Sequence, residues 1–163
     1  MVILGIDPGT AATGYGIVKK RSNKLGLVSY GCISTKSDLL LAKRLDIIYK
    51  ELRKLFRKYK PDVLATEKLF FFKNLKTAIS VSQAQGVVLL VAQKAKVPIF
   101  EYTPLQLKQA VVGYGRADKK QVQKMVKVLL GLDKIPEPDD AADALALAIC
   151  HAHSEKINKI IRS

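Results

Sequence analysis

Acids are scarce in this chain of 163 residues. Only 14 Asp and Glu stand against 28 Lys and Arg, for a formal net charge of +14. Cysteine is scarcer still. Cys32 and Cys150 lie in strand-like and helix-like apolar contexts without metal-ligand spacing, so both read as small buried hydrophobes of a reducing compartment, and no disulfide scaffold is expected. With two thiols and two histidines nothing supplies a zinc site of thiolates or paired imidazoles. Long hydrophobic runs are missing too. The longest, residues 87–92, is far below the roughly 20 residues a bilayer span needs. The N-terminus has no basic region and only a short apolar run, so neither a signal peptide nor a membrane partner is expected, and the chain is placed in the cytoplasm. There is no internal repeat or low-complexity segment.

What is present is a globular composition, 48% hydrophobic, of a size that forms one domain with a real core. The positive excess implies a polyanionic partner, reached by counterion release and long-range steering, with nucleic acid ahead of a merely basic fold. Residues 2–7 are an aliphatic run ending in Asp7, turned at once by Pro8 and Gly9. Two more strands follow, over about 13–18 and 25–35, as an antiparallel meander joined by a polar turn at 19–24. Helical spacing then takes over at residues 39–59. Pro61 and Asp62 lead to a strand at 63–67, again ending in an acid, Glu67. A helix over 75–95 is apolar almost all round in its second half, so it is either fully buried or shares its outer face with another subunit. A strand at 97–102 closes the βαβ unit.

The last third is helical. Thr103 and Pro104 start a helix through 112, and Asp118 with Gln121 forms a capping box for 119–130. A final helix begins at Asp139 or Asp140 and runs through Cys150. Residues 1–154 form a single domain, followed by a basic tail at 155–163 with frayed structure. His151 and His153 read as solvated helix-end residues. In a mixed sheet with the 63–67 strand parallel to the first, Asp7 and Glu67 become neighbours, while Asp140 and Asp143 face one way from a helix.

Gathering carboxylates raises their pKa values, and a chain so poor in acids has little reason to do so unless cations neutralise them. Oxygen ligands suit Mg²⁺ or Mn²⁺, and two such ions about 4 Å apart serve phosphodiester hydrolysis. A basic shell around an acidic, cation-filled notch is what a nuclease needs. Taken singly, each acid is more often a helix-end or surface charge. Four arriving at convergent element ends weaken that view.

GIDPGT and TGYG at 5–16, ATE at 65–67, FEY at 100–102, VVGYG with ADK at 111–119 and DAADALALA at 140–148 together resemble the RuvC family in order and spacing over essentially the whole chain. The resemblance implies an RNase H-like fold with a mixed five-stranded sheet. It implies a homodimeric Holliday-junction resolvase that makes paired symmetric nicks in four-way DNA. By the same resemblance Asp7, Glu67, Asp140 and Asp143 hold the metal, two Mg²⁺ per subunit with Mn²⁺ also acceptable. Lys108 and Lys119 contact phosphate, and Phe70 stacks within the opened junction. The helix over 75–95 forms much of the dimer interface, and a RuvAB-type branch-migration motor is a partner by kinship. Three rivals remain. A nucleotide-binding domain of the actin, heat-shock ATPase or sugar-kinase type needs two such halves and a second phosphate loop. A non-catalytic branched-DNA-binding protein of the same fold predicts a missing acid. An RNase H proper would lack the dimer helix and the late DAAD element.

Overall fold

The structure, a computed structural model, describes residues 1–69 and 75–162; the side chains of residues 70–77 and 156–163 lie outside the description. Strands β1 (Val2–Asp7), β2 (Ala12–Arg21) and β3 (Lys24–Ser34) form the antiparallel meander. The turn between the second and third is tighter than the composition suggests. Pairing continues to Arg21 opposite Lys24, and Ser22 takes φ 51°. Helix α1 (Leu41–Tyr59) then crosses to β4 (Val63–Glu67), which pairs parallel with β1. Helix α2 (Leu75–Lys94) leads to β5 (Ile99–Tyr102), parallel to β4, and the sheet order is β3-β2-β1-β4-β5. The last strand begins two residues later than its composition suggests. The Val97 N–H is taken by the Ala92 carbonyl at 3.0 Å, which holds residues 95–97 to the end of α2.

Helices α3 (Pro104–Val112), α4 (Lys119–Leu129) and α5 (Asp139–Arg162) complete the chain. Both expected caps form. Thr103 and Gln106 exchange bonds of 3.1 and 2.9 Å, and Asp118 and Gln121 exchange two of 2.8 Å. Helical backbone continues to Arg162, so residues 155–162, expected as a frayed tail, extend α5 instead. Lys20 anchors this extension through an ion pair to Glu155 at 2.8 Å.

Strand side chains alternate between faces, which divides the interior in two. Leu4, Ile6, Ile17 and Leu64 pack beneath α1 and α2, with Ile48, Leu52, Ala84 and Val88. Ile3, Val18, Val63 and Ala65 face the other way, towards α5, α4 and Val111 of α3. Within α2, Ala84, Val88, Val91 and Ala92 are buried while Ile79 and Leu90 are 61% and 50% exposed, so this helix is not fully buried in the single chain. Two expectations need correcting. His151 is buried, not solvated: its Nδ1 and the Tyr102 hydroxyl lie 2.7 Å apart, and its ring packs on Phe100. Cys32 is only partly buried, on the edge strand β3. Cys150 is fully buried, and burial pushes its thiol up to about 12.

Candidate active site

Alternation along the strands decides where the first two acids point. Asp7 shares the face of Ile3 and Gly5, and Glu67 that of Val63 and Ala65, which is the α5 side of the sheet. Ile6 pairs with Thr66 across the parallel ladder, and the Thr66 hydroxyl donates to the Ile6 carbonyl at 3.1 Å. The two acids that follow therefore leave adjacent strands side by side. At the other end of the same strands Asp62 Oδ2 accepts from the Val2 N–H at 2.6 Å, which locks the register. Past Asp7 the turn is braced by Thr13, whose hydroxyl donates to the Gly9 carbonyl at 2.6 Å, and by Thr10, bonded to Ser80 of α2 at 2.8 Å.

The other two acids depend on how closely α5 can lie on the sheet. A Cβ on Gly5 would sit 1.9 Å from the Ala144 carbonyl oxygen, and one on Gly14 would sit 2.0 Å from that of Asp140. Helix backbone rests directly on strand backbone at both places, and Ala141, Ala144 and Ala148 keep the helix side equally thin. That contact brings the first turns of α5 to the strand ends that carry Asp7 and Glu67.

Asp7, Glu67 and Asp143 line one cavity of 220 Å³ together with Lys108 and Lys119. Leu107, Val122 and Leu147 form its apolar wall. Asp140 is half-buried and is not among the lining residues, although its charge reaches Asp7. Burial, then the charges of Asp143, Glu67 and Asp140, push Asp7 up to about 7, and Lys119 only partly opposes this. Glu67 is raised by burial and by Asp143, and Asp143 itself is raised chiefly by burial. Such mutual destabilisation of the charged forms is the electrostatic signature of a site built for a counter-charge.

Lys119 supplies part of it, at 3.0 Å from Asp143 and 3.3 Å from Asp139. Burial alone would lower its pKa, but the hydrogen bonds and charges of these two acids raise it. Phe70 lies outside the described residues, so its placement is not part of this site.

Sequence reasoning missed several supporting residues. Asp139, which the sequence marked only as a possible start of the last helix, pairs with Lys119 and accepts from the buried Gln123 side chain at 3.0 Å. Gln85, 4% exposed, donates to the Glu67 carbonyl at 3.3 Å and to Glu101 at 3.0 Å, and so holds the end of β4. The signal was a pair of amides, at 83 and 85, just before the apolar run 87–92 of this helix. Cys32 also lies within reach of the acids. Burial, then the charges of Asp140 and Asp7, raise its thiol and disfavour the thiolate.

The donor set is all oxygen, which suits hard divalent cations. Among the described residues no three of His, Cys, Asp and Glu already stand at cation-cage spacing. The residues fit such ions by chemistry and charge.

A family profile described as crossover junction endodeoxyribonuclease RuvC matches residues 3–151, a span that includes all four acids and both lysines. The chain belongs to the RuvC family. Its relatives there include the crossover junction endodeoxyribonuclease RuvC of Halothermothrix orenii, 56% identical over 159 residues, or 98% of this chain and 96% of that protein. The RuvC of Syntrophomonas wolfei is 53% identical over 163 residues, covering all of this chain and 95% of that one. The structure of T. thermophilus RuvC in complex with a Holliday junction substrate superposes with a TM-score of 0.91 at 36% identity, over 97% of this chain and 96% of that one. The mixed five-stranded sheet with its flanking helices is thus the RNase H-like fold of RuvC.

Proposed function

We propose that this RuvC-family chain is a structure-selective endonuclease that resolves four-way DNA junctions by paired symmetric nicks. Asp7, Glu67, Asp140 and Asp143 would hold two divalent cations, Mg²⁺ or Mn²⁺, in each subunit. The observation that carries this is the meeting of Asp7, Glu67 and Asp143 on one cavity with Lys108 and Lys119, in a chain of this family. Bound there, the cations would supply an activated water and stabilise the leaving oxygen of an in-line displacement.

The chain's own residues do the rest. Half-buried carboxylates on two adjacent strand ends and one helix N-terminus create a negative notch whose mutual repulsion is strengthened by partial burial and would be relieved by bound cations. Lys108 and Lys119 bring positive charge to its rim, where they would orient the phosphates flanking the scissile bond. Lys119 would exchange its contacts with Asp139 and Asp143 for a phosphate oxygen as DNA arrives. The apolar wall excludes water from one side of the cavity and strengthens these interactions. Phe70, after the second acid, is proposed to stack on a base in the opened junction.

Two such sites acting on one junction require a dimer. The exposed Ile79 and Leu90 on α2 support that helix as the contact surface. No described helix is long and apolar enough to cross a membrane, and we place the protein in the cytoplasm with DNA and a RuvAB-type motor as partners. Residues 1–154 are proposed as the nuclease unit, with 155–163 a basic appendage to it.

The deciding experiment compares four-way junctions with linear duplex of equal length, for the wild-type chain and Asp7→Asn. Junction cleavage requiring Mg²⁺ is expected for the wild type only, with junction binding retained by both. Equal cutting of both substrates, or cutting by Asp7→Asn at the wild-type rate, would falsify the mechanism.

A further inference from the structure

A second concavity, of 400 Å³, lies between α1 and α2 at the opposite end of the sheet from the acids. Helix α1 ends where β4 begins, and α2 ends where β5 begins, whereas Asp7 and Glu67 sit at the far ends of their strands. One strand length, on the order of 15 Å, separates the two regions. Its floor is apolar: Phe56 is 6% exposed and Val91 3%. Arg53, Arg57 and Lys94 stand around that floor, and no carboxylate lines it.

The charge distribution along α1 sharpens this. Its two acids are both engaged away from the groove, Asp46 with Lys50 at 2.6 Å and Glu51 with Lys54 at 2.6 Å. Among the described residues no ion pair involves Arg53, Arg57 or Lys94. Cations in a last helical turn complement the helix dipole, and this accounts for Arg57 and Lys94. It does not account for Arg53, a turn further in, whose guanidinium lies 5.5 Å from the centre of the Tyr49 ring, nor for the recessed floor. Tyr49, Arg53 and Arg57 recur every fourth residue and so form one stripe along the groove wall.

We propose that this groove docks an acidic segment of a partner protein, its carboxylates on Arg53, Arg57 and Lys94 and an aromatic or aliphatic side chain on Phe56 and Val91. Guanidinium groups take carboxylates in bidentate fashion, and an apolar pocket beneath them suits a side-chain anchor. A DNA backbone offers phosphates but nothing to fill the floor. The distance from the acids lets such a partner hold the nuclease while DNA occupies the catalytic cavity.

The full-length chain would be used to select peptides from a random display library, and the enriched peptides remade with a fluorescent label for anisotropy. Enrichment of acidic peptides bearing Phe, Leu or Trp is expected. Arg53→Gln with Arg57→Gln should weaken them by about tenfold or more. Ala95→Phe, which fills the groove without altering charge, should do the same. Lys50→Gln with Lys54→Gln removes equal charge from the outer face and should change binding by less than about twofold. All three variants should cleave junctions at the wild-type rate, so a failed docking site and a failed nuclease reading give different results. The proposal is overturned if acidic peptides are not enriched, if the Lys50 and Lys54 pair matters as much as the arginines, or if Ala95→Phe has no effect. It is also overturned if a short DNA duplex displaces the peptide and the arginine variant loses junction binding in parallel, which would make the groove a DNA surface.

Discussion

Gly14→Ala tests whether backbone contact between α5 and the sheet sets the geometry of the acids. The new Cβ would lie 2.0 Å from the Asp140 carbonyl oxygen and 2.3 Å from its carbon, about 1.4 Å short of the 3.4 Å at which ordinary contact begins. Both obstacles are backbone, so no side chain can swing aside. Either α5 lifts or β2 recedes, and either movement separates Asp140 and Asp143 from Asp7, which pairs with Gly14 across the ladder. Overpacking of this kind costs roughly 1–3 kcal/mol of stability. A displacement near 1 Å in a catalytic constellation costs on the order of 10²-fold in rate. Single-turnover cleavage of a four-way junction with saturating protein should therefore fall about a hundredfold, while junction binding by anisotropy changes little because Lys108 and Lys119 keep their helices. Urea denaturation separates the catalytic from the folding effect. Gly26→Ala is the control, since the nearest atom to its Cβ is 3.9 Å away. Wild-type cleavage by Gly14→Ala would refute the reasoning: the acids would then not depend on how closely α5 rests on the strands.

Other expectations follow from the same site. Because the folded pKa of Asp7 is raised from 3.8 to about 7, the cation-free chain loses stability as pH climbs through that interval, and Glu67 and Asp143 act in the same direction. At about pH 8 and without cations, Asp7→Asn should melt higher than the wild type. Added Mg²⁺ should raise the wild-type melting temperature more at about pH 8 than at about pH 6, and the opposite order would contradict the assignment. Lys119→Gln removes two surface ion pairs, so stability should shift by less than about 1 kcal/mol. Its cleavage rate should nonetheless drop about 10–100-fold if it contacts phosphate, and a rate unchanged from wild type would remove it from that role. Asp118→Ala breaks the capping box of α4 and should cost about 1 kcal/mol in denaturation.

Elements with strong local signals were legible in the sequence. The strand ending in Glu67 spans 63–67 as its aliphatic run predicts, and the caps at Thr103 and Asp118 follow from side-chain chemistry within three residues. The adjacency of Asp7 and Glu67 was accessible because period-two alternation and parallel pairing leave few alternatives. What depended on distant packing was not legible. His151 looks like a solvated helix-end residue until Tyr102 and Phe100 are seen to cover it, forty-nine residues earlier in the chain for the former. The lengthening of α5 to Arg162 relies in part on Lys20, on a strand far away in sequence. Gly5 and Gly14 lie within stretches that read simply as strands. Their use, admitting a helix against the sheet, exists only once α5 has docked.

Alternation along β1 has a consequence for what length changes the chain tolerates. Adding or deleting one residue between Ile3 and Ile6 would rotate Asp7 to the side occupied by α1 and α2, and would at the same time thrust an aliphatic side chain against the α5 backbone where Gly5 now lies. A single-codon slip there removes a carboxylate from one layer and wedges apart another. The opening strand is therefore a ruler whose graduations cannot be shifted by one, whereas the hairpin tip at Ser22 and Asn23, where both residues are exposed, is where extra residues would do least harm.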